Sequence, residues 1–253
     1  MNDLEDKLLE TEELESNAPH RGIYLLPNLL TTSALFSGFY AVVAAMKGQF
    51  ETAAIAVFIA MIADALDGRV ARLTNTQSAF GAEYDSLSDM VAFGMAPALI
   101  TYSWVLHFFG KLGWLVAFFY TASTAVRLAR FNTQASDKRY FTGLPCPSAA
   151  AFIVGMVWLL QVYPVNISAH WLGFGMTVCM FLAGTLMIST VRYRSFKDLE
   201  MTGITSFFVV IAILLFFVGV ALNPPVVLFA LFAVFVVSGP LGALFHFKRK
   251  TLD

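Results

Sequence analysis

Five of the chain's 17 acidic residues, Asp64, Asp67, Glu83, Asp85 and Asp89, fall within 26 positions, in the stretch IADALDGRVARLTNTQSAFGAEYDSLSDMVAFG. Asp64 and Asp67 are three apart and Asp85 and Asp89 four apart, so each pair shares one face of a helix. If the two helices pack side by side, four carboxylates point into one gap, where like charges repel. Protonation relieves that repulsion, and so does a divalent cation. All-oxygen carboxylate ligation suits Mg2+ or Mn2+, with Ca2+ as a further occupant, better than zinc. Two cations bridged by shared carboxylates would form a clamp for phosphoryl oxygens. Carboxylates inside a membrane also suit an ion or proton transporter, and the residues alone leave that reading open.

The neighbours of the aspartates fit a phosphate ligand. Arg72 lies about one and a half helical turns beyond Asp67, which puts a cation where a diphosphate would need one. Gly68 and Gly81 remove side chains where a nucleotide or phosphate would press against backbone. Each also has a plainer use: the glycines in helix packing or a loop, Arg72 as a topological anchor.

The elements that must position these groups follow from composition. Of 253 residues 58% are hydrophobic and 13% charged, against about 25% charged in an ordinary globular domain, and the mean hydropathy is +0.72. A globular chain of this size could not bury that much apolar surface and still cover itself with polar groups. This excludes a soluble enzyme, a disordered chain and a nucleic-acid binder working through a basic surface. It leaves a multi-pass integral membrane protein, expected in the cell (inner) membrane, in which each charge within a span needs a reason that justifies its cost.

A ruler of about 20 apolar residues per span finds eight, at 25–46, 52–67, 90–109, 112–130, 144–163, 171–191, 203–222 and 225–246. With the N-terminus inside, 14 of the 16 Lys and Arg residues fall on inner segments and their flanks, and only Lys47 and Lys111 fall outside. That bias orients the chain with both termini and the aspartate window facing the cytoplasm. Residues 1–21 hold seven acids and no basic, apolar leader, so they read as a solvated acidic segment and not a signal peptide. Residues 22–200 are expected to form the membrane core that carries the aspartates, and 201–253 a helix pair with a basic tail. Cys146 and Cys179 lie in apolar stretches without ligand spacing and read as packing thiols.

The pattern Asp64-x2-Asp67-Gly68-x2-Ala71-Arg72-x8-Gly81-x3-Asp85-x3-Asp89 resembles, position for position, the motif of the CDP-alcohol phosphotransferase family. The resemblance implies a six-helix membrane core that moves a substituted phosphate from a CDP-linked donor to an alcohol and releases CMP. It implies that Asp64, Asp67, Asp85 and Asp89 hold two divalent cations, that Asp89 is the general base, and that Gly68, Ala71, Arg72 and Gly81 bind the CDP moiety. The expected architecture is therefore all-α, with the family core followed by two C-terminal helices. Three further segments look like the membrane-integral, serine-using branch of the family: Arg127-Leu128-Ala129-Arg130-Phe131-Asn132, Gly143-Leu144-Pro145-Cys146-Pro147, and Arg192-Tyr193-Arg194-Ser195-Phe196-Lys197. Pro27-Asn28-Leu29-Leu30-Thr31 resembles the start of the family's first span, with Asn28 and Thr31 as nucleotide contacts.

Arg127 and Arg130 share one helix face and would clamp the donor phosphate or an acceptor carboxylate. Asn132, Arg192 and Lys197 extend that set, although positive-inside topology also accounts for the basic residues. The implied partners are CDP-diacylglycerol, L-serine, membrane lipid and a second copy of the chain as a homodimer. Glycerol 3-phosphate or an inositol phosphate are the alternative acceptors.

Overall fold

The computed structural model describes residues 25–133, 140–194 and 203–250. It is helical, with nine α-helices among the described residues: α1 (Leu25–Met46), α2 (Phe50–Leu73), α3 (Ala79–Asp89), α4 (Ala96–Trp104), α5 (Lys111–Thr133), α6 (Cys146–Val162), α7 (Ala169–Ile188), α8 (Gly203–Leu222) and α9 (Pro224–Lys250). A π-helical stretch, Met90–Met95, joins α3 and α4 into one rod, so the helices make eight rods that follow the eight expected spans. The protein is an all-α membrane protein. The sequence reading held no strands, yet a short antiparallel pair is present: β1 (Tyr140–Thr142) against β2 (Arg192–Arg194), with Thr142 opposite Arg192.

By length and apolarity α1, α5, α7 and the Pro224–Ala243 part of α9 suffice to cross a membrane. Helix α2 is more highly charged, since Glu51 and Arg69 add to Asp64, Asp67 and Arg72 of the aspartate motif. Burial follows the logic of helices in lipid. The interior is filled by small residues, among them Ala34, Ala41, Ala53, Ala60, Ala92 and Ala96, while large apolar side chains such as Phe36, Phe39, Ile59, Ile62, Phe118 and Phe174 stay exposed on the outside. Lipid offers no hydrophobic force between helices, so close backbone approach has to supply the packing. At Gly38 two backbones come close together, since a Cβ there would stand 2.6 Å from the Ala92 Cα.

The rod of α3, the π-stretch and α4 is where the backbone departs from regularity. Pro97 brings no N–H to the carbonyl four residues earlier, that of Phe93. Tyr120 of α5, fully buried, donates its hydroxyl to this Phe93 carbonyl at 3.1 Å, so the irregular turn is satisfied by its neighbour. The helix α1 packs against both α2 and the α3 rod, and these carry the two aspartate pairs.

Candidate active site

α2 continues six residues past the expected end of its span, carrying Gly68, Ala71 and Arg72 on the helix, and stops at Leu73. The stop is a left-handed cap. Asn75 adopts φ +52° and Thr76 N–H donates back to the Ala71 carbonyl at 3.0 Å, a position that Asn tolerates. Ser78 then caps α3, its hydroxyl accepting from Gly81 N–H at 3.0 Å. The turn between α2 and α3 is therefore fixed at both ends by local hydrogen bonds.

A cavity of about 300 Å³ opens at this turn, lined by Asn28, Thr31, Asp67, Gly68, Ala71, Arg72, Gly81 and Asp85, together with Pro27 and the Thr76–Ser78 turn. Eight sequence-identified residues thus share one cavity. Gly81 lies against α1, where a Cβ would stand 3.7 Å from Asn28 Oδ1. The capped first turn of α3 borders the same space, and the free N–H groups and dipole of a helix start favour an anionic ligand. The sequence reading missed this contribution of Ser78, although a Ser three residues before Gly81 was a legible cap signal.

Beside the cavity, carboxylate oxygens of Asp64, Asp67 and Asp85 lie within 4.8 Å of one another. Asp64 is close enough to Asp89, as well as to Asp85, for their carboxyl groups to interact. The carboxylates of both pairs therefore face one another across the gap, as the spacing led one to expect, with α1 as the common support. The set fits a divalent cation. Metal–oxygen bonds of about 2.0–2.6 Å let one ion touch three such oxygens. Among the described residues Asp85 Oδ1 is buried with no hydrogen-bond partner, an arrangement that is rare unless a ligand completes it. Asp67 is 5% exposed and accepts a 2.6 Å hydrogen bond from Thr31 Oγ1.

The profile of the CDP-alcohol phosphatidyltransferase family matches residues 24–182. The chain belongs to this family. Among its curated relatives, a CDP-diacylglycerol–serine O-phosphatidyltransferase of Helicobacter pylori is 45% identical over 187 residues, covering 72% of this chain and 77% of the relative. An enzyme of the same name from Mycobacterium leprae is 32% identical, covering 67% of this chain and 57% of the relative. An archaetidylserine synthase of Methanothermobacter thermautotrophicus is 34% identical, covering 66% and 69%. Membership in a phosphatidyltransferase family sets aside the transporter reading of the carboxylates. Divalent-cation dependence, general in the family, agrees with the aspartate cluster.

The basic residues of this phosphatidyltransferase separate into different roles. Arg130 donates Nη1 to the Ile188 carbonyl at 3.0 Å, capping the C-terminus of α7, where cations are favoured. Among the described residues Arg127 has only a weak thiol partner, Cys146 Sγ at 3.5 Å, and its buried Nε has none. Asn132 faces α3, donating to Ser86 Oγ at 3.1 Å and Glu83 Oε2 at 3.4 Å. Arg192 lies on β2, and Lys197 lies outside the described residues. The turn before α6 is tied to the same end of the bundle. Gly143 at φ +82° and Leu144 donate their N–H groups to the carbonyls of Val191 (2.8 Å) and Leu186 (3.0 Å).

Proposed function

We propose that the protein transfers the phosphatidyl group of CDP-diacylglycerol to the hydroxyl of L-serine, giving phosphatidylserine and CMP. The observation that carries this is the juxtaposition of the aspartate cluster with a cavity lined by Gly68, Ala71, Arg72 and Gly81. The names of the serine-using relatives support the choice of acceptor.

In this reading Asp64, Asp67, Asp85 and Asp89 hold two divalent cations, Mg2+ or Mn2+. When bound, these would offset the charge on the diphosphate and on departing CMP. Gly68, Ala71 and Gly81 let the nucleotide lie against backbone, Asn28 borders it, and Arg72 with the capped start of α3 faces the diphosphate. Asp89 accepts the proton of the serine hydroxyl as the oxygen attacks the phosphorus that carries diacylglycerol and the bond to CMP breaks in line. Arg127, with donors to spare, receives the serine carboxylate; Arg192 and Lys197 add positive charge, while Arg130 and Asn132 hold the helix ends in place. The donor's acyl chains remain in lipid and serine arrives from water, which suits a site on the cytoplasmic face of the inner membrane with both termini on that side. A homodimer is the assembly the family implies.

Purified protein with Mg2+ or Mn2+ is expected to release CMP from CDP-diacylglycerol only when L-serine is added, and chelation to stop it. Equal turnover with glycerol 3-phosphate would defeat the serine assignment. For orientation, Gly48→Cys is expected to react with an impermeant thiol reagent from outside the cell and Lys138→Cys only after the membrane is opened.

A further inference from the structure

We infer that Thr31 is a positioning residue for the metal site, a strut on α1 that ties together the two helices bearing the aspartates. The inference rests on the reading that Asp67 binds a cation. It departs from the expectation that Thr31 serves the nucleotide.

Three polar side chains deep in the bundle carry the argument. Thr31, Asp67 and Ser88 are 4%, 5% and 1% exposed. Thr31 Oγ1 donates to Asp67 Oδ2 at 2.6 Å. The same oxygen lies 3.1 Å from the Pro27 carbonyl. A hydroxyl has one proton, and the shorter contact to a carboxylate is the stronger of the two. Ser88, next to Asp89 in the chain, donates its hydroxyl to the Thr31 carbonyl at 3.1 Å. One residue of α1 thus holds a carboxylate of α2 through its side chain and the aspartate-bearing end of α3 through its backbone.

The consequence is geometric. Repulsion among the carboxylates drives the two aspartate pairs apart, and buried hydrogen bonds through a third helix oppose that drift. One hydrogen bond leaves Asp67 several lone pairs for a cation, and groups that orient a ligating carboxylate typically tune metal affinity by about 10–100-fold.

The test is Mn2+ binding to the full-length protein in detergent without lipid substrate, followed by electron paramagnetic resonance, with CDP binding measured in parallel on metal-free protein. Thr31→Val, which keeps shape and loses the hydroxyl, is expected to weaken Mn2+ at least about tenfold, while Thr31→Ser restores it. CDP binding without metal should stay at the parental value. Parental Mn2+ affinity in Thr31→Val with weakened CDP binding would make Thr31 a nucleotide contact and overturn the strut. If Thr31→Val does not survive purification, Ser88→Ala decides: the strut requires weaker Mn2+ binding there, and parental binding overturns it. Asp67→Asn separates this from the underlying reading. Parental Mn2+ binding in Asp67→Asn would remove Asp67 from the metal site altogether.

Discussion

Tyr193 donates its hydroxyl to the Val236 carbonyl at 3.3 Å, and Val236 stands four residues before Pro240 inside α9. Proline cannot supply the N–H that this carbonyl would otherwise accept. The tyrosine replaces it, as Tyr120 does for the Phe93 carbonyl before Pro97. In lipid an unsatisfied backbone group is costly, so a proline in a span is tolerated where a neighbour caps the freed carbonyl. Tyr193 also joins α9 to the core, beside the packing of α9 on α6 through pairs such as Phe152 and Phe229. It is 1% exposed, its ring centroid is 5.4 Å from that of Phe235, and it fills the space left by Gly239.

Tyr193→Phe should therefore cost about 1–3 kcal/mol, the penalty for stranding a buried acceptor, seen as a lower thermal midpoint in detergent. Gly239→Leu should cost more, because even its Cβ would overlap the Tyr193 ring. If both variants match the parent, α9 is a passive neighbour of β2.

Asp89→Asn retains an oxygen for the cation cluster and loses the proton acceptor. Mn2+ binding is expected to remain and serine-dependent CMP release to vanish. An active variant would place the base elsewhere.

Arg127 and Arg130 should fail differently. Arg127→Gln is expected to raise the KM for serine about tenfold or more, with donor binding little changed, because it removes a charge-assisted partner of roughly 1.5–3 kcal/mol. Arg130→Gln takes a donor from the Ile188 carbonyl and should lower stability by about 1 kcal/mol while leaving the serine KM near the parental value. Interchanged results would reassign the clamp.

Ser78→Ala removes the cap of α3. A loss of about 1 kcal/mol in stability is expected, and weaker CDP binding with it, since the cap borders the cavity. Calorimetry of CDP binding reads the second effect separately from the first.

Much of the site was legible because it is local. Helix periodicity places Asp64 with Asp67 and Asp85 with Asp89 on shared faces, and Gly68, Ala71, Arg72 and Gly81 belong to the two helices that carry them. The rods were legible for the same kind of reason, since the bilayer sets their length. The boundary of α2 was not: the expected span ended at Asp67, where apolarity ends, whereas the helix runs to Leu73, because hydrogen bonding continues to the cap at Asn75. The β1–β2 pair was likewise hidden, as each strand is three residues long and finds its partner across 50 residues of chain.

The sequence by itself determined the membrane setting, the eight rods, the orientation bias and the chemistry of the carboxylates, all of which follow from residue type and spacing along one helix. Only the tertiary structure decided what each polar group meets. Arg127 and Arg130 are alike in sequence, three apart on one face, yet one reaches the end of α7 and the other meets a thiol. Thr31 faces a carboxylate 36 residues away. A hydrogen bond forms only within about 3 Å and near the donor's axis. Which carbonyl or carboxylate lies at that point depends on how the helices cross, and that is a property of the packed bundle.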